Sequence, residues 1–183
     1  MTSDNGSSGS NGTLRVAAAQ INTTVGDIDG NARLIEKWIG LAEEQGADIV
    51  AFPELTITGY PPEDLVLYKN FIDVNSAALN RIASGVGNIV AVVGFVDSED
   101  EGTKLFNAAA VIHNRRIVAT YRKIHLPNYG VFDERRYFSP GNGCPVLSIR
   151  GVKVGINICE DIWEQVGPSE VQCAAGAQIL INL

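Results

Sequence analysis

The 183-residue sequence predicts a layered α/β fold, and three observations carry that reading. Short apolar runs alternate with longer stretches of helical periodicity, in the order strand, helix, strand, helix, strand. A hairpin signal follows: NAAAVIH and RIVATYRK flank a turn at Asn114 and Arg115, which makes the sheet mixed rather than purely parallel. Further on, GVKVGINIC alternates Val152, Val154, Ile156 and Ile158 with Lys153, Gly155, Asn157 and Cys159, the period-2 pattern of a strand.

Residues 1–13 (MTSDNGSSGSNGT) are rich in Gly, Ser and Asn and are expected to form a disordered tail, leaving 14–183 as one domain. Leu14 to Ile21 reads as the first strand. A helix from about Asn31 to Gln45 follows, with Asp29 as its expected N-cap and Gly46 at the C′ position. Leu34, Ile35, Trp38, Ile39, Leu41 and Ala42 form its apolar stripe, with Trp38 read as core. Asp48 to Phe52 is a short buried strand stopped by Pro53, and a second helix is expected over Asp64 to about Ser84. Asn88 to Val96 is an apolar strand, and DSEDEGTK reads as a solvated acidic loop before the hairpin. The stretch from Ile124 to Pro145 holds Pro, Gly and Asn and reads as irregular. Beyond Cys159, Pro168 to Ala175 is expected to be helical, and QILINL to form another buried strand.

Composition narrows the function. An apolar fraction of 45% fits a globular domain, and no apolar run is long enough for a spanning helix. A formal charge of −7 argues against nucleic acid or an anionic membrane surface as the main partner, since both need clustered Lys and Arg. Cys144, Cys159 and Cys173 have neither CxxC spacing nor histidines around them, which fits reduced thiols in a cytoplasm better than disulfides or a metal site. No secretory signal pattern is visible.

Three reactive groups stand where strands run out: Glu54 after DIVAFP, Lys123 at the end of RIVATYRK, and Cys159 at the end of VKVGINIC. Alternation places Glu54 on one side with Val50 and Phe52, Lys123 with Tyr121 and Ala119, and Cys159 on the small-residue side of its strand. Layered α/β proteins bind ligands beyond the carboxyl ends of their strands, so the three can meet there. A thiol with a pKa near ~8.5 is mostly protonated at neutral pH and needs a base or a nearby cation to attack. Glu54 is suited to take that proton. Lys123 and the backbone N–H of Glu160 are suited to hold an oxyanion. Each residue also has an ordinary alternative: a packed cysteine, a solvated or capping acid, an edge lysine. His125, two residues after Lys123, keeps a Cys–His pair open.

FPELTITGYPPEDL, YRKIHLPNYGVFDERRYFSPG and GVKVGINICEDIW resemble, in order, the three signature regions of the nitrilase (carbon–nitrogen hydrolase) superfamily, and within it the glutaminase domains of glutamine-dependent NAD synthetases. The resemblance implies an αββα sandwich of four layers. It implies Glu54 as general base, Lys123 as catalytic lysine and Cys159 as nucleophile. Glu134 would help position the substrate amide and the lysine, and Tyr60, Tyr129, Phe132 and Glu160 would contact glutamine. The implied reaction releases ammonia through a cysteine thioester, for ATP-dependent amidation of deamido-NAD in a synthetase domain.

No cofactor is expected in this domain, because ATP and magnesium would belong to the synthetase domain, which this chain lacks. The superfamily sandwich continues past the position of Leu183. A sandwich truncated at its C-terminal side is therefore expected, together with association, either as a homo-oligomer or with another chain. Two further readings remain: a free-standing amidase acting on another small amide, and an inactive fragment that only binds a partner chain.

Overall fold

A computed structural model describes residues 13–99 and 102–183, so the expected tail over 1–13 lies, but for Thr13, outside the described residues. Five strands form one sheet in the order of the sequence: β1 (Val16–Ala18), β2 (Ile49–Ala51), β3 (Val90–Glu99), β4 (Lys104–His113) and β5 (Arg116–Arg122). The first three run parallel, and β3–β4–β5 form an antiparallel meander. A second sheet holds β6 (Val146–Ile149), β7 (Val152–Asn157) and β8 (Ile179–Asn182). Its β6–β7 pair is antiparallel and its β7–β8 pair parallel.

Helices α1 (Ile28–Glu44) and α2 (Lys69–Gly85) cover the outer face of the first sheet. Ile35, Ile39, Leu79 and Ile82 pack there on Val50, Ala91, Val93, Ala108, Ala110 and Ile112. Alternate residues of the same strands, among them Val92, Ala109 and Val111, face Val154, Ile156 and Ile158 of the second sheet. Helix α3 (Pro168–Ala174) closes the far side, where Gln172 Nε2 donates to Ile156 O at 2.7 Å. The layers are thus helix, sheet, sheet, helix, and because both faces of β3 and β4 are buried, these strands are apolar over 90–96 and 108–112 rather than alternating. Full burial of one such aliphatic side chain contributes roughly 1.5–3 kcal/mol.

Several local expectations differ. The N-cap of α1 is Asp27, not Asp29: Asp27 Oδ1 accepts the Gly30 N–H at 3.0 Å, and the helix starts three residues early. Trp38 is 38% exposed rather than core, as is Leu41, because the buried face of α1 runs through Asn31, Ala32, Ile35, Ile39 and Ala42. The expected second helix is broken at Tyr68, with a 3-10 turn over Glu63–Leu67 before α2. The start of the expected acidic loop is strand instead, since Asp97, Ser98 and Glu99 pair with Phe106, Leu105 and Lys104. Strand β8 lies at the edge of its sheet, and only Ile181 in it is buried. The hairpin turn stands as expected, with Asn114 and Arg115 at φ 48 and 61.

Candidate active site

Beyond the ends of β2, β5 and β7 the chain gathers a buried charge cluster. Lys123 follows β5 directly and is completely buried. Its Nζ lies 2.7 Å from Glu54 Oε1 and 2.9 Å from Glu134 Oε1. An ammonium so enclosed survives only with paired charges and hydrogen bonds. Burial works against its charge, yet the two carboxylates outweigh that effect and hold Lys123 above the usual lysine range. For Glu134 burial and the neighbouring charge of Glu54 prevail, and its carboxyl is pushed up in spite of Lys123.

Glu54 reaches this place by leaving the strand pattern. Val50 and Phe52 pack under the helices, but the chain then turns at Pro53 and crosses the opposite face of β3 at Gly94. A Cβ on Gly94 would stand 2.4 Å from Pro53 O and 2.5 Å from Leu55 N, so the crossing requires a residue without a side chain. Glu54 therefore does not share a side with Val50 and Phe52, as alternation predicts. It meets Asn107 of β4, whose Nδ2 donates to Glu54 Oε1 at 2.6 Å and lies 3.4 Å from Glu134 Oε2. Sequence reasoning missed Asn107, although a single amide heading the apolar run NAAAVIH is a visible signal.

Cys159 also leaves its strand. Strand β7 ends at Asn157, and Cys159 takes φ +44 at the start of a 3-10 turn over Cys159–Ile162. The small-residue side of β7 faces α3, where Gly155 and Asn157 meet Gln172. The positive φ instead turns the cysteine onto the core between the sheets. There the charges of Glu54, Lys123 and Glu134 act on the thiol, and the Glu160 backbone N–H favours its ionised form. Burial, then the charge of Glu54, push the thiol up to about 11, against the pull of Lys123. At neutral pH the proton stays on sulfur, so a thiol of this kind can attack only with a base beside it.

A second residue missed in the sequence joins the two strand ends. Asp161 is completely buried. Its carboxylate accepts from Tyr121 Oη at 2.6 Å and from the N–H groups of Ile124, His125 and Ile158 at 3.2, 2.8 and 3.2 Å. It thereby fixes the residues flanking Lys123 against the residue before Cys159.

The remaining expected residues surround the cluster. Tyr60 Oη donates to Glu134 Oε1 at 3.3 Å, and burial holds its phenol well above the usual range. Tyr60, Phe132 and Glu134 line a cleft of about 480 Å³. Tyr129 and Glu160 line a neighbouring cleft of about 590 Å³, which also takes in His125 and Arg135. In it Tyr129 Oη donates to the Glu160 carboxylate at 2.9 Å, with the Phe132 ring edge-on to Tyr129 at 5.6 Å. Among the described residues no group of three or more His, Cys, Asp or Glu is placed to hold a metal ion, and no helix is long and apolar enough to cross a membrane.

A four-layer sandwich with this cluster between its strand ends is the architecture of a carbon-nitrogen hydrolase, and the chain belongs to that family, whose model matches residues 15–183. Within the family it is similar to the glutamine-dependent NAD(+) synthetase of Thermotoga maritima, with 45% identity over 173 residues. That match covers 93% of this chain and 30% of the relative, so the chain spans about a third of the curated relatives it matches. The solved glutamine-dependent NAD+ synthetase of Acinetobacter baumannii superposes with a TM-score of 0.88 at 37% identity, over 93% of this chain and 32% of that one. An amidase from Nesterenkonia sp. superposes with a TM-score of 0.80 at 27% identity, over 92% of this chain and 64% of that one. A variant of that amidase has been solved with acrylamide added at its active-site cysteine.

Proposed function

We propose that this chain is the glutamine-hydrolysing part of a glutamine-dependent NAD synthetase. The observation that carries the reading is the buried Lys123 ammonium held between Glu54 and Glu134 beside the Cys159 thiol, in a chain whose curated relatives are such synthetases. Glu54 takes the thiol proton as sulfur attacks the side-chain amide carbon of glutamine. The oxyanion is held by Lys123 Nζ and the Glu160 backbone N–H. The carbon–nitrogen bond breaks, and the proton returns from Glu54 to the departing ammonia. Water, deprotonated by Glu54, then attacks the thioester, releasing glutamate and the thiol. Glu134 holds Lys123 in place. Tyr60 and Phe132 shape the cleft for the substrate, while Glu160 and Tyr129 offer an acidic, hydrogen-bonded rim suited to its α-ammonium.

This chemistry draws on no cofactor in the chain. ATP and magnesium belong in the reading to a synthetase domain that receives the ammonia, in a cytoplasmic homo-oligomer with reduced thiols. The test is glutamate formation from glutamine, with Cys159→Ala as control. Glutamate above that control supports the reading, and none sinks it, as does turnover by Glu54→Gln at the wild-type rate. The likeness to the Nesterenkonia amidase favours a second reading, a free-standing amidase on another small amide. A panel of amides separates the two. A protein that only associates with a partner chain would hydrolyse none of them.

A further inference from the structure

Asn107 is completely buried, on the face of β4 that continues Ala109 and Val111 toward the second sheet. Its amide is used unevenly. Nδ2 donates to Glu54 Oε1 and reaches Glu134 Oε2, whereas Oδ1 is, among the described residues, the one buried side-chain oxygen or nitrogen without a hydrogen-bond partner. Turned over, the amide would set its oxygen against both carboxylates and leave its NH₂ with neither acceptor. An orphaned acceptor is unfavourable, so the orientation is the one that the two facing carboxyl groups, as acceptors, select. Glu54 Oε1 then receives two donors, Lys123 Nζ and Asn107 Nδ2, while Oε2 receives no hydrogen bond from the described residues.

We propose that Asn107 is a positioning residue for the general base: its amide binds the Glu54 and Glu134 carboxylates together and occupies Oε1 of Glu54, so that Oε2 is left to take the Cys159 proton. The inference rests on the reading of Glu54 as base. The charged and titratable groups facing Glu54 come from four other segments: Lys123 after β5, Glu134 from the 3-10 turn at Glu134–Arg136, Tyr60 from the loop after β2, and Cys159 after β7. Asn107 is the neutral donor common to both carboxylates, so it sets how readily the pair accepts a proton without adding charge.

The experiment is the pH profile of Cys159 alkylation by iodoacetamide in the whole chain, read on the Cys159 peptide by mass spectrometry so that Cys144 and Cys173 do not contribute. Asn107→Ala is expected to slow alkylation at neutral pH by about tenfold, part of what a positioned base supplies. Its acid limb is expected at higher pH, because a carboxylate pair that has lost a donor takes up a proton more easily. Asn107→Asp, nearly isosteric, is expected to move the limb further by facing the pair with a third carboxylate, and it carries the test if the alanine variant does not fold. Acid limbs at the wild-type pH in folded Asn107 variants would overturn the proposal. If Glu54→Gln loses the limb in the same experiment, the failure belongs to Asn107 alone. If Glu54→Gln keeps it, the base assignment falls as well. Alkylation needs no amide, so the result stands apart from whether glutamine is the substrate.

Discussion

The hydroxyl of Tyr121 donates to the Asp161 carboxylate at 2.6 Å, and through this bond β5 of the first sheet is held to the turn that follows β7 of the second. Both partners are buried. A hydrogen bond to a charged acceptor of this kind contributes about 1.5–3 kcal/mol. Tyr121→Phe is expected to lower stability by that amount in urea unfolding. Asp161→Ala is expected to cost more, because it also strands three backbone N–H groups. The double variant should fall short of the sum of the two, since they break one shared bond.

Gly94→Ala is expected to be costly although it adds one methyl group. The new carbon meets backbone atoms of Pro53 and Leu55 on either side of Glu54, which cannot step aside as a flexible side chain would. About 1–3 kcal/mol of stability should be lost to overpacking. Amide hydrolysis should fall further than stability does, because Glu54 is displaced from Lys123.

Lys123→Ala leaves Glu54 and Glu134 facing each other in a buried space without their cation. Removing one partner of a buried ion pair costs about 3–5 kcal/mol. The loss relative to wild type should be largest near neutral pH and shrink as the medium becomes acidic. Glu134 is already raised by burial and by Glu54, so its protonation relieves the repulsion. Urea midpoints across the acid range test this, and a gap that stays constant would contradict it.

The raised thiol gives a prediction at the other end of the scale. A group held above its ordinary value contributes stability while both states are protonated, and that contribution is lost as pH rises through the folded value. Wild type should therefore lose stability relative to Cys159→Ala as pH climbs from the ordinary thiol range toward about 11. Parallel curves for the two proteins over that window would show that the thiol is not held as described.

What was legible in the sequence divides by physical range. The Asn114–Arg115 turn, the β7 alternation and the Gly46 cap are local, and each appears as read. Glu54, Lys123 and Cys159 were also recognisable as strand-end groups, but the reasons that bring them together were not. Glu54 depends on a glycine forty residues away, and Cys159 on one positive φ that reverses the side predicted by alternation. Asn107 and Asp161 act only through partners distant in the chain, so neither stands out before the sheets are stacked. Trp38 shows the opposite failure, for a helical stripe read on spacing alone took in both Trp38 and Leu41, which lie on the exposed side.

The backbone at Cys159 is anchored without help from its sulfur. The Cys159 N–H donates to Leu183 O at 2.7 Å, and Asn182 Nδ2 donates to Cys159 O at 3.3 Å. A residue leashed by its main chain can exchange its side chain and keep its place. Cys159→Ala should therefore yield a silent copy of the cleft with its walls unmoved, one that holds an intact amide long enough to be weighed or crystallised in place.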